Sequence, residues 1–183
     1  MLKNGFALSL FLAVGVALAA EPVTSGPQPG DKVPGPFKPM NVTGPDAGKE
    51  ECLYCKNGSK PVVMVFAREF TPGVVALVKK LDAATGAKSE AGLASCVIAL
   101  TDAADFGPSL AKWAGGEKIA HTVLATYAKG GPAKYAIAPD AAVTVLLYTK
   151  QTVKANHSFR AGELTEAKAD AVLADLAKIL PRE

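Results

Sequence analysis

Val62-Val63-Met64-Val65-Phe66-Ala67 is a continuous apolar run in which three of six residues are β-branched. A run this short and this uniformly apolar suits a strand covered on both faces, as parallel strands are. Thr71-Pro72 follows as a helix N-cap with proline at the first helical position. Val74, Val75, Leu77, Val78 and Leu81 then recur at helical spacing, with Lys79, Lys80 and Asp82 between them. Strand followed by amphipathic helix is the unit from which parallel sheets are built.

Outward from that unit the pattern repeats. Leu93 to Leu100 reads as a second strand, and Pro108 to Ala114 as a short helix ended by Gly115-Gly116. Ile119 to Tyr127 reads as a third strand, and Ala142 to Tyr148 as another covered on both faces. After a turn at Lys150-Gln151, Val153, Ala155, His157 and Phe159 alternate with Lys154, Asn156 and Ser158, as in a half-exposed hairpin strand. Thr165 caps a last helix with Val172, Leu173, Leu176, Ile179 and Leu180 on its apolar face, stopped by Pro181. The order predicts an α/β fold: a central, mainly parallel sheet with a C-terminal antiparallel hairpin and helices on both faces.

The ends carry other information. Lys3, the apolar run Gly5 to Val16 and Ala17-Leu18-Ala19-Ala20 form the three regions of a secretory signal peptide over residues 1–19. The run falls short of the ~20 residues that cross a bilayer. Export to a periplasmic or extracellular space is the expectation, with no membrane contact after cleavage. Residues 20–35 form an extended Pro/Gly-rich lead-in, and 36–183 the folded domain. Losing Lys3 lowers the formal net charge from +3 to +2, which gives no electrostatic case for nucleic acid.

The order of elements resembles the thioredoxin-like superfamily, and within it the redoxin and peroxiredoxin branch. Pro61 to Ala67, Tyr135-Ala136-Ile137-Ala138-Pro139 before Val143 to Tyr148, and Gly162-Glu163-Leu164 before the last helix carry the likeness. The resemblance implies a redox site where the first core strand meets the next helix, in peroxiredoxins with the form P-x-x-x-T-x-x-C. Here Thr71 matches the threonine, but Ala67 stands in place of the proline and Val74 in place of the cysteine. The resemblance therefore argues against peroxidase activity.

The chain carries three cysteines, two of them as Cys52-Leu53-Tyr54-Cys55, before the strand rather than after it. The Asn57-Gly58 turn predicts a loop or hairpin there, away from a helix N-terminus that would lower a thiol pKa. Three chemistries remain open for the pair. It is the redox centre of a thiol–disulfide oxidoreductase acting on protein thiols and disulfides, with Cys52 the first guess for the attacking sulfur. It is a static disulfide in a non-catalytic binding or structural domain. Or it is half a metal site, needing His121, His157 or a second subunit. Lys49 and Lys56 favour a thiolate and Glu50 and Glu51 oppose one. Lys56 occupies the position where c-type haem attachment needs histidine, and no cofactor is indicated.

The remaining candidates have plain structural readings. Cys96 is mid-strand and reads as a small buried residue rather than a resolving thiol. His157 and His121 read as histidines of core or edge, without a Ser/Asp context for a triad. Arg68-Glu69, at the carboxyl edge where open α/β sheets bind ligands, reads as a surface ion pair. Gly130-Gly131-Pro132 is a turn without phosphate-loop spacing, and Trp113 anchors its helix.

Overall fold

The computed structural model describes residues 21–181. The signal peptide assigned to residues 1–19 lies outside them. The elements are β1 (Met40–Asn41), α1 (Leu53–Asn57), β2 (Val62–Ala67), α2 (Pro72–Ala87), β3 (Ala94–Leu100), α3 (Phe106–Glu117), β4 (Thr122–Tyr127), β5 (Val143–Thr149), β6 (Thr152–Phe159) and α4 (Glu166–Ala174). They form one six-stranded sheet in the order β1-β4-β3-β2-β5-β6. The β2–β3 and β3–β4 pairs are parallel, while β5, β6 and β1 run antiparallel to their neighbours. This is the expected architecture: a parallel centre with an antiparallel hairpin at one edge.

The strand β2 alternates between two cores. Val63, Val65 and Ala67 pack under α2, α3 and α4, while Val62, Met64 and Phe66 pack on the other face with Leu53 of α1. That second face is closed by the Pro/Gly-rich segment from Glu21, which is extended and tied down. Ser25 Oγ lies 2.6 Å from Thr144 Oγ1, and the Gly30 N–H donates to the Val153 carbonyl. Phe37 inserts its ring among Phe66, Tyr127 and Tyr135.

Several expectations need correction. Gly115-Gly116 does not end α3, which runs to Glu117. Lys118 ends it in the left-handed region (φ 57°), its N–H donating to Ala114 and Gly115 carbonyls. β4 begins at Thr122 rather than Ile119, because the buried Asp82 carboxylate takes the Ala120, His121 and Thr122 N–H groups. The two-residue β1 carried no periodicity to read. In β6, Leu147 pairs with Ala155 but Tyr148 pairs with Val153, so the register slips by one at a bulge. Val153 therefore joins the Tyr148 face, while Ala155 and Phe159 join the face under the helices. The hairpin turn holds Lys150 (φ 49°) and Gln151 (φ 58°) in the left-handed region, as a two-residue loop demands.

Candidate functional site

The C-x-x-C segment is not a loop. Leu53 is buried on the Met64 face, and around it residues 53–57 close one helical turn. Gly58 ends that turn at φ 54°, its N–H donating to the Tyr54 carbonyl. Cys52 is the N-cap, and its Sγ accepts the Cys55 N–H at 3.1 Å. The two sulfurs are joined as a disulfide with Cα atoms 5.2 Å apart.

Accessibility separates the two sulfurs. Cys52 is 7% exposed, whereas Cys55 is exposed on the outer side of the turn. Of the two, Cys55 is thus the more accessible residue, whereas Cys52 was the first guess for the attacking sulfur. The charges around the pair largely cancel. Lys56 binds the Asp46 carboxylate and lies 3.9 Å from Glu51, so its charge is not held for a thiolate.

The other end of β2 is closely packed. Val74, where the resemblance implies a peroxidatic cysteine, is fully buried. Gly73 beside it packs so tightly that a Cβ would fall on the Leu164 carbonyl oxygen, well inside contact distance. Thr71 is the N-cap of α2 but caps nothing with its side chain, and its buried Oγ1 has no partner. Arg68 and Glu69 do not pair as expected. The Arg68 guanidinium donates to the Ala141 and Lys129 carbonyls, and Glu69 Oε1 accepts the Gly162 N–H at 3.0 Å. Both residues pin loops across the closed end.

The remaining residues stay apart from the pair. Cys96 is buried in β3, and burial pushes its thiol up to about 12. His157 Nε2 lies 3.0 Å from Asp175 Oδ2, with its ring stacked on Phe159. Burial works to raise the Asp175 carboxyl, but hydrogen bonds from Lys178 and His157 outweigh it and hold the carboxyl below its ordinary value. Trp113 packs its indole edge-on to Phe70, as a helix anchor. Among the described residues no group of three His, Cys, Asp or Glu side chains is placed to hold a metal ion. Among those residues, too, no helix is long and apolar enough to cross a membrane.

Sequence reasoning missed Asn41. It sits in the two-residue β1, buried to 2% exposure, with Oδ1 lacking a hydrogen-bond partner. Nothing in its neighbours signals this, since the burial comes from long-range pairing with β4.

Topology and helix placement together give a thioredoxin-like fold. Solved structures agree with that assignment. The peroxidoxin BcpB of Mycobacterium tuberculosis is 20% identical and superposes with a TM-score of 0.62 over 85% of this chain and 99% of its own. A secreted Mycobacterium tuberculosis disulfide oxidoreductase homologous to Escherichia coli DsbE is 14% identical, with a TM-score of 0.56 over 77% and 94%. A Chlorobium tepidum protein provisionally assigned as the thiol:disulfide interchange protein DsbE is 19% identical, with a TM-score of 0.58 over 81% and 98%. No family model and no curated protein sequence matches the chain.

Proposed function

We propose that this chain is an exported thiol–disulfide exchange protein that works through Cys52 and Cys55 on protein thiols and disulfides. The asymmetry of the disulfide carries the reading: one cysteine is exposed, and the other is buried with its Sγ already hydrogen-bonded. An incoming thiolate attacks Cys55 Sγ, the Cys52–Cys55 bond breaks, and its electron pair leaves on Cys52 Sγ. The Cys55 N–H, donating at 3.1 Å, stabilises the charge that develops there. A mixed disulfide on Cys55 results. Attack by a second substrate thiolate on the substrate sulfur of that mixed disulfide releases an oxidised substrate and a reduced pair. The secreted and interchange-type proteins among the structural neighbours support the reading, as does the signal-like start of the sequence.

Single-cysteine variants test it. Cys52→Ser leaves Cys55 without a resolving partner and is expected to accumulate a mixed disulfide with reduced, unfolded insulin chains in a mild oxidant. Cys55→Ser is expected to trap little, because Cys52 is buried. Equal trapping by both variants, or none by either, contradicts the proposal.

A second reading rests on one contact. Cys52 Sγ caps α1, so the disulfide also serves as a staple for a turn too short to hold itself. On that reading the wild type is inactive in insulin reduction.

A further inference from the structure

Just before the disulfide the chain adds one more residue to the sheet, outside β1. Glu50 forms an antiparallel bridge with Met40. The bridge is flanked by the Asn41 N–H donating to the Lys49 carbonyl at 3.0 Å and the Glu51 N–H donating to the Pro39 carbonyl at 3.2 Å. Bonds on both sides of a pair and none within it mark the wide pair of an antiparallel ladder, whose residues turn their own N–H and C=O away from each other. Met40 has β4 on its other side, paired at Thr126, whereas Glu50 has solvent. Among the described residues neither the Glu50 N–H nor its carbonyl meets a hydrogen-bond partner. The open edge ends there, because Cys52 is buried and its carbonyl accepts the Lys56 N–H at 3.1 Å.

An outward donor and acceptor on one extended residue match the backbone of another extended chain, which supplies the complementary pair whatever its side chains. Position favours the same occupant. Glu50 lies two residues before Cys52, a reach of at most about 7 Å. The Cys52 and Cys55 Cα atoms are 5.2 Å apart, so Glu50 lies within about 12 Å of Cys55. An extended segment of about four residues spans that gap at ~3.3 Å each. Met40, opposite Glu50 and 40% exposed, offers an adaptable apolar contact on the face the two share.

We propose that the main chain of Glu50 receives an extended, cysteine-bearing protein segment by strand addition and so brings its cysteine to Cys55. The inference rests on the exchange reading above and names its substrate class: locally unfolded segments, because a backbone already paired within a fold has no groups to offer. Glu50 is a positioning residue that acts through its backbone, so its side chain is dispensable.

The test uses the Cys52→Ser protein, in which serine, itself a favoured N-cap, keeps α1. The probe is N-acetyl-Thr-Val-Thr-Cys-Thr-Val-Thr-amide carried as its 2-pyridyl disulfide. The Cys55 thiolate attacks the peptide sulfur, the new disulfide forms and 2-thiopyridone leaves, while buried Cys96 is spared. Solvent exchange of the Glu50 amide, read by heteronuclear NMR, is compared with protein capped at Cys55 by a methylthio group. The peptide is expected to slow it about tenfold or more. N-methylation at one peptide position should abolish the protection, and Glu50→Gln should retain it. Unchanged exchange at Glu50, or protection indifferent to every N-methyl position, overturns the proposal. Protection that grows with protein concentration in the methylthio-capped form assigns the edge to a second copy of the chain and overturns it too. Oxidation of the reduced peptide by wild type is measured separately. An inert wild type with Glu50 protected contradicts the exchange reading alone, and an active one with Glu50 unprotected contradicts the docking alone.

Discussion

β2 has two ends, and the chain treats them oppositely. At its carboxyl end, where the resemblance implies a redox cysteine, Val74 is buried and Gly73 sits against the Leu164 backbone. At its amino end a single helical turn presents a disulfide with one exposed cysteine. The first end has long helices and dense packing but no sulfur. The second has sulfur but only five helical residues. The disulfide therefore lies where the local structure is weakest, and on the proposed function the pair depends on its own hydrogen bond, since α1 is too short for a useful helix field.

The largest effect expected from this comparison is at the closed end. Gly73→Ala places a Cβ against backbone that cannot swing away, and is expected to cost about 3 kcal/mol by overpacking. Alanine in an ordinary helix site gains about 1 kcal/mol over glycine, so the sign alone is diagnostic. Urea unfolding measures it, and an unchanged or raised midpoint shows that this end is open.

The double change Cys52→Ser/Cys55→Ser acts at the other end. Loop-closure entropy for so small a ring limits the loss to about 2 kcal/mol. The loss should be local, seen as faster proteolysis between Glu50 and Pro61 while the sheet stays protected against hydrogen exchange. Global unfolding of the double variant contradicts the view that α1 is an appendage.

Cys96, in the strand beside β2, separates burial from reactivity. Its folded pKa of about 12 lies above the usual 9.0, so the unfolded thiol ionises first. The stability due to its burial is fully present below about pH 9 and is lost as pH rises toward 12. Cys96→Ala is expected to flatten that decline from its lower end, with buried Tyr135 and Tyr148 sustaining the rest above pH 10. Alkylation of native protein should spare Cys96, and rapid native labelling contradicts its placement.

Smallest is the loss of Lys56. Lys56→Gln frees Asp46 at the exposed α1 surface and is expected to change stability by about 0.5 kcal/mol or less, because exposed ion pairs contribute little. A larger loss by urea unfolding contradicts a solvent-screened pair.

The strands covered on both faces and the amphipathic α2 were legible because burial writes itself as apolar runs and 3.6-residue spacing. Three features were not, and each depends on a distant partner. Asp82 sets the start of β4 by capturing N–H groups 38 to 40 residues away. The bulge in β6 turns Val153 to the opposite face although its spacing to Ala155 reads as regular alternation. α1 is helical because Leu53 docks on the Met64 face, while Asn57-Gly58 suggested only a turn. Cys52 and Cys55 were legible as a pair, but which sulfur is exposed was not, since one turn of helix decides it.

The reduction potential of Cys52–Cys55 tests the central claim most directly. Equilibration of the wild type against defined redox buffers, read by thiol alkylation and mass, gives the value. A working pair at this end of β2 predicts a potential of about −120 to −270 mV. A value below about −300 mV contradicts exchange chemistry and leaves the disulfide as the staple of α1.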